Sequence, residues 1–143
     1  MQVRTLLQKK GRFVATVPPE MKVRQAIIEL ARYDIGALVV TRPDRSIAGI
    51  ISERDIVRAL GRDGASILDE PASHLMSTAV TTCALDDEVD SLMTIMTNER
   101  VRHIPVTTTS ALVGIVSIGD VVKTRMDELV HDRDTLVSYI NAR

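Results

Sequence analysis

A chain of 143 residues, 45% of them hydrophobic, has the material for one ordinary domain or for two small halves that share a core. Its 18 basic and 19 acidic side chains leave a net charge of −1, and its aromatics are limited to Phe13, Tyr33 and Tyr139. That balance lacks the basic footprint of a duplex binder and the stacking platforms of a single-strand binder, so no nucleic-acid partner is expected.

Taken in chain order, Val3 to Lys10 is a short helical start ended by Gly11, and Phe13 to Val17 a short strand stopped by Pro18-Pro19. From Glu20 to Tyr33, Val23, Ala26, Ile27, Leu30 and Ala31 keep the spacing of a helix with one buried stripe, which Gly36 is expected to end. Ala37 to Thr41 and Ile47 to Ile51 predict two strands around the turn Arg42-Pro43-Asp44-Arg45, followed by a helix over Arg54 to Leu60. A linker with Gly61, Gly64 and Pro71 runs to His74. Then the order recurs: strand Ala79 to Thr82, helix Asp86 to Thr97, strand His103 to Thr107, polar turn, strand Leu112 to Val116, and a helix from Gly119 onward.

The recurrence is also one of residues. Gly49-Ile50-Ile51-Ser52-Glu53-Arg54-Asp55 returns 65 positions later as Gly114-Ile115-Val116-Ser117-Ile118-Gly119-Asp120. Upstream, at a spacing of 66, Val23, Ala26, Ile27 and Leu30 answer to Val89, Leu92, Met93 and Met96. A repeat of this size marks a supersecondary unit whose apolar face needs its twin, and two matched polar clusters imply two matched sites. The fold class is therefore α/β (α+β): two β-α-β-β-α units about a pseudo-two-fold axis, with a C-terminal helical extension.

Each Ser-x-x-Asp sits where a strand hands over to a helix. There the Ser hydroxyl and the following N–H groups can face an anion, and an Asp one turn on can reach a neutral, donor-rich part of the same ligand, such as a ribose diol. The same pattern is also an N-cap, in which the Ser serves only its own helix; the two uses are compatible. His74, His103 and His131 show no metal-ligand spacing, and Cys83, alone, excludes an internal disulfide and reads as a small buried hydrophobe. No nucleophile motif or P-loop is visible, so no catalytic activity, catalytic cofactor or metal is expected. No apolar run approaches a membrane span or a signal-peptide core; no membrane partner and a cytoplasmic location are expected.

With these residues on the page the sequence resembles a tandem cystathionine-β-synthase (CBS) domain pair, also called a Bateman module. The resemblance is carried by the two Gly-aliphatic-aliphatic-Ser-x-x-Asp segments, Ile35-Gly36-Ala37-Leu38-Val39-Val40, Val101-Arg102-His103-Ile104-Pro105-Val106 and His74-Leu75-Met76-Ser77. It implies CBS repeats over 8–65 and 73–130 and a C-terminal helix over 131–143, with two clefts that bind adenosine-containing ligands. Asp55 and Asp120 would hold the two ribose diols. Ser52 and Ser117 would face phosphate, with Arg54 and the Ile118-Gly119 backbone nearby. The Asp120 site would draw on Ala15, Ile35, Gly36 and Ala37, and the Asp55 site on Met76, Thr81, Val101 and His103.

Arg102 brings a guanidinium fork suited to phosphate, whereas the equivalent residue in the first half is Gly36, so the two sites are expected to be unequal. Arg102 shares a half with Ser117, which favours the Asp120 site as the tighter one. Lys10, in a basic cluster with Lys9 and Arg12, would add positive charge for further phosphates or else be a solvated residue. The function implied is a regulatory module that senses AMP, ADP, ATP or NAD(H), AMP first, and signals through the geometry of a homodimer to an unidentified downstream protein. The alternative is an assembly module with vestigial clefts. Finally, Met126, Leu129, Val130, Leu136, Val137 and Ile140 carry an apolar stripe to the C-terminus, which would dock on its own domain or on a second copy.

Overall fold

A computed structural model describes residues 1–142. Helices α1 (Val3–Lys10), α2 (Val23–Tyr33) and α3 (Glu53–Asp63) and strands β1 (Thr16–Val17), β2 (Ala37–Thr41) and β3 (Ile47–Ser52) form the first half. The second holds α5 (Val89–Glu99), β4 (His103–Thr108), β5 (Ala111–Ser117) and α6 (Ile118–Asn141). Between them, the expected linker is itself folded, as a 3-10 turn over Ala65–Asp69 and the single-turn helix α4 (Ala72–Leu75). The class is that expected from sequence, and so is the repeat order apart from the first strand of the second half.

The first sheet runs β1-β2-β3, with β1 parallel and β3 antiparallel to the central β2. Strand β2 is buried over Ala37 to Val40 with no polar alternation, as befits a strand flanked on both edges and covered on both faces. In the second half the hairpin β4-β5 repeats that register: Val106 faces Gly114 as Val40 faces Gly49, and a bulge follows at the same place in both. The strand expected over Ala79 to Thr82 does not form. Its place is taken by one parallel bridge between Cys83 and Val106, because Cys83 N–H bonds the Pro105 carbonyl and Thr107 N–H the Cys83 carbonyl, and the pairing stops there.

Other boundaries shift for local reasons. Helix α2 begins at Val23, after the Pro18-Pro19 turn, and ends at Asp34, whose φ of 54° makes it the left-handed cap in place of Gly36. Arg100, 66 positions on, ends α5 in the same way. Helix α3 passes through Gly61 to Asp63 and closes at Gly64 (φ 79°).

The two apolar cores are completed crosswise. Helix α1 leads the first half, yet its Val3, Leu6 and Leu7 pack with Val89, Leu92, Met96, Ile104, Val106, Val116 and Val121 of the second. Linker helix α4 leads the second half, yet Ala72, with Leu75 and Met76, packs on the core of the first. Backbone bonds fix both crossings. Val3 N–H meets the Asp87 carbonyl at 2.8 Å and Val89 N–H the Met1 carbonyl at 2.9 Å; Ala72 N–H meets the Met21 carbonyl at 2.7 Å and Val23 N–H the Glu70 carbonyl at 2.9 Å.

Gly49 and Gly114 are where these crossing segments touch the sheets. A Cβ on Gly114 would lie 2.7 Å from Leu7 Cδ1, the end of a side chain; one on Gly49 would lie 2.6 Å from the Ser77 carbonyl oxygen and 2.7 Å from Met76 Sδ. Both substitutions overpack a filled site, at a cost of about 1–3 kcal/mol. Gly49→Ala is expected to cost more than Gly114→Ala, because a paired backbone carbonyl yields less readily than a leucine methyl. Urea unfolding of the two variants measures the difference.

Candidate functional site

Both Ser-x-x-Asp segments form complete capping boxes. Ser52 Oγ accepts from Asp55 N–H at 3.2 Å, and Asp55 Oδ2 accepts from Ser52 N–H at 2.9 Å; Ser117 and Asp120 repeat both bonds at the same distances. Ser52 Oγ also donates to Asp55 Oδ2 at 2.9 Å. The first amide of each helix is used as well: Glu53 N–H bonds the Gly36 carbonyl and Ile118 N–H the Arg102 carbonyl. The cap role is therefore real, and it aims each carboxylate at the mouth between strand and helix.

Around Asp55 lies a cleft of about 560 Å³, a volume suited to a nucleotide-sized ligand. Of the residues singled out from sequence, it brings together Ser52, Arg54, Asp55, Thr81, Val101, Arg102 and His103, and also Gly36, which was expected at the Asp120 site but lies beside Glu53 at the start of α3. Helix α3 supplies the first face, and the segment from Ser77 to Thr81 with the start of β4 supplies the other. Four guanidinium groups (Arg54, Arg58, Arg100, Arg102) share the walls with Asp55, Glu53 and Glu99, beside the apolar Ile50, Val80 and Val101. Glu99 accepts a bond from Thr81 Oγ1. Among the described residues Asp55 has no ion-pair partner.

Sequence reasoning missed Arg58 and Arg100. The first had a signal, since it follows Arg54 by one helical turn. The second had none, because it reaches the cleft only by ending α5 in a left-handed turn.

The remaining expected residues are distributed differently. Ala15 and Ala37 are buried and Ile35 is half-buried at the first core. Met76 turns inward onto Gly49. Ile118 and Gly119 line a shallow open groove with Arg102, Val122, Lys123, Met126 and Asp127. Arg102 thus borders both places, and is not confined to the Asp120 side. Asp120 itself is held by Lys10, whose ammonium lies 2.5 Å from Oδ2 and 2.9 Å from the Ile115 carbonyl, both side chains about a quarter exposed.

Burial alone would raise the Asp120 carboxyl, but the bonds from Lys10 and Ser117 outweigh it and hold it below its ordinary value. His103, half-buried opposite Gly36 and Glu53, is pushed below the ordinary imidazole value by burial, against the pull of Asp120 and Glu53 and with the push of Lys10 and Arg102. Burial, with Asp87 nearby, pushes the Cys83 thiol up to about 12, so it stays protonated and unreactive near neutrality.

Along the C-terminal helix, Met126, Leu129, Val130, Leu136, Val137 and Ile140 are between 47% and 60% exposed, so the apolar stripe does not dock on its own domain. No helix among the described residues is long and apolar enough to cross a membrane.

The model of the CBS domain family matches residues 11–62 and 72–127. The mitochondrial CBS domain-containing protein CBSX3 of Arabidopsis thaliana is 34% identical over 122 residues, 82% of this chain and 59% of that protein; the chain thus spans little more than half of this relative. The crystal structure of a CBS-domain containing protein from Agrobacterium tumefaciens is 44% identical, with a TM-score of 0.85 over 87% of this chain and 99% of that one. A CBS domain protein from Pyrobaculum aerophilum, solved in complex with AMP, is 29% identical with a TM-score of 0.75, over 84% of this chain and 89% of that one.

The His103 environment predicts a pH dependence. Burial lowers the imidazole's affinity for a proton in the fold, while the unfolded chain takes one up near pH 6.5. Its contribution is therefore fully present above about pH 6.5 and is lost as the pH falls from there through the folded value. Urea midpoints between pH 8 and pH 5 should fall, and His103→Gln should flatten that slope. The contribution of Asp120, with its lowered value, is present above about pH 4 and is lost only below it.

Proposed function

This chain belongs to the CBS-domain family, and we propose that it is a non-catalytic regulatory module that binds an adenosine-containing nucleotide, AMP first, in the Asp55 cleft. The observation that carries this reading is the cleft's division of charge. Asp55, fixed by its capping box and free of a cation, suits the neutral diol of a ribose; Arg54, Arg58, Arg100 and Arg102 suit a phosphate that a bare carboxylate would repel. Ile50, Val80 and Val101 offer an apolar wall for a purine. The AMP complex of the Pyrobaculum aerophilum protein supports the ligand class.

In this reading the cap and the ligand contact are one device. The helix holds the carboxylate rigidly, so the ligand does not bear the entropy of ordering it. ADP, ATP and NAD share the adenosine moiety and differ in how far the phosphates run along the arginines. At a hundred times its Kd such a ligand stabilises the fold by about 2.7 kcal/mol.

The exposed stripe of α6 supports a homodimer as the route by which occupancy is communicated. Light scattering is expected to give a dimer for the full chain and a monomer for the Leu129→Glu/Leu136→Glu variant. A full-length monomer would remove that part of the reading.

Asp55→Ala removes charge-assisted bonds worth about 1.5–3 kcal/mol, roughly ten- to a hundred-fold in affinity. Calorimetry with AMP should show that loss. Unchanged affinity alongside a lowered melting temperature would make Asp55 a helix cap alone, and a flat thermal-shift response to AMP, ADP, ATP and NAD at millimolar concentration would overturn the reading.

A further inference from the structure

The two Ser-x-x-Asp sites differ in what covers the edge of their strand. On the outer edge of β3, Ile50 exchanges both backbone bonds with Ser77: Ile50 N–H to the Ser77 carbonyl at 3.0 Å and Ser77 N–H to the Ile50 carbonyl at 2.8 Å. The counterpart of Ile50 is Ile115 on β5. Its carbonyl is met instead by the Lys10 ammonium at 2.9 Å, which bonds Asp120 Oδ2 with a second hydrogen.

Helix lengths explain the substitution. Leu7 on Gly114 corresponds to Met76 on Gly49, so α1 and α4 meet their sheets at equivalent points. Helix α4 stops at Leu75, and the chain then extends along β3 as Met76-Ser77. Helix α1 continues a further turn to Lys10 before Gly11 (φ 96°) ends it. That extra turn puts a cationic side chain where the first half has backbone.

Resting on the proposed reading of the Asp55 cleft, we infer that Lys10 is an internal ligand of the second site, and that the chain therefore takes up one nucleotide, at Asp55. The ammonium sits on Asp120 Oδ2, one of the two oxygens that a bidentate ribose diol would need. To displace it, a ligand must exchange an ammonium–carboxylate ion pair for bonds from neutral hydroxyls and leave a cation, three-quarters covered, without its partner. Asp55 carries no such occupant. The Lys10 ammonium is thereby committed to Asp120, not to the phosphates of a nucleotide. Loss of its charge, by substitution or by acylation of the amine, frees the Asp120 carboxylate for a second ligand.

Calorimetry with AMP on four proteins tests this: the full chain, Asp55→Ala, Lys10→Met and the double variant. The expected stoichiometries are one per chain for the wild type, none within the working range for Asp55→Ala, two for Lys10→Met, and one for the double variant. Two AMP per wild-type chain, or one per Lys10→Met chain with the Asp55 site intact, overturns the inference and leaves the proposed function standing. Weaker binding by Lys10→Met at the existing site makes Lys10 a phosphate ligand and overturns it too. If neither the wild type nor Lys10→Met binds AMP, the inference fails, and the response to ADP, ATP and NAD decides the broader reading separately. A crystal structure of the wild type grown with AMP needs no variant to fold. Nucleotide at Asp55, with Lys10 still on Asp120, supports the inference; a ribose on Asp120 overturns it.

Discussion

The structure depends on the crosswise completion of its two cores. Each half has a sheet too small and too short to bury its own apolar face, and each is closed by the helix that leads the other: α1 for the second half, α4 for the first. Two glycines make this possible, because Gly49 and Gly114 are the points at which the crossing segment comes within side-chain distance of the sheet backbone. Separating the halves would expose the apolar faces that α1 and α4 bury against the opposite core.

That constraint also sets the site. Because α1 and α4 lie across the halves, the last residue of α1, Lys10, and the segment after α4, at Ser77, each reach the edge of the other half's last strand, beside the Ser-x-x-Asp cap. The cap contributes rigidity and the crossing segment supplies the opposite wall. Asp55, held by the N–H and hydroxyl of its N-cap Ser52, thus shares one cleft with Arg54 and Arg58 of its own helix and with Arg100 and Arg102 of the other half.

The halves are alike in register, bulge, cap and left-handed helix end, and differ in the charge they present. Gly36 stands where the second half has Arg102, and the Ser77 backbone covers β3 where the Lys10 side chain covers β5. These replacements put Arg102 at the border of the Asp55 cleft and of the groove along α6 and tie Asp120 into an ion pair, while among the described residues Asp55 makes only its capping bonds. Small differences at equivalent positions are thus enough to give two similar frameworks different chemistry.

Much of this was legible in the sequence. The 65-residue recurrence of Gly-aliphatic-aliphatic-Ser-x-x-Asp determined the repeat, the two caps and the carboxylates, because an N-cap is a local interaction among four consecutive residues. The apolar stripe of α2 determined that helix for the same reason. What local pattern cannot carry is which half a segment joins. Only the tertiary structure decided that α1 packs on the far half, that the strand expected over Ala79 to Thr82 shrinks to one bridge at Cys83, and that Arg58 and Arg100 face the cleft. Lys10 is the clearest instance. In the sequence it is one of three basic residues near a glycine; in the fold it is 110 positions from its partner and 2.5 Å from its carboxylate, because its helix is one turn longer than its counterpart.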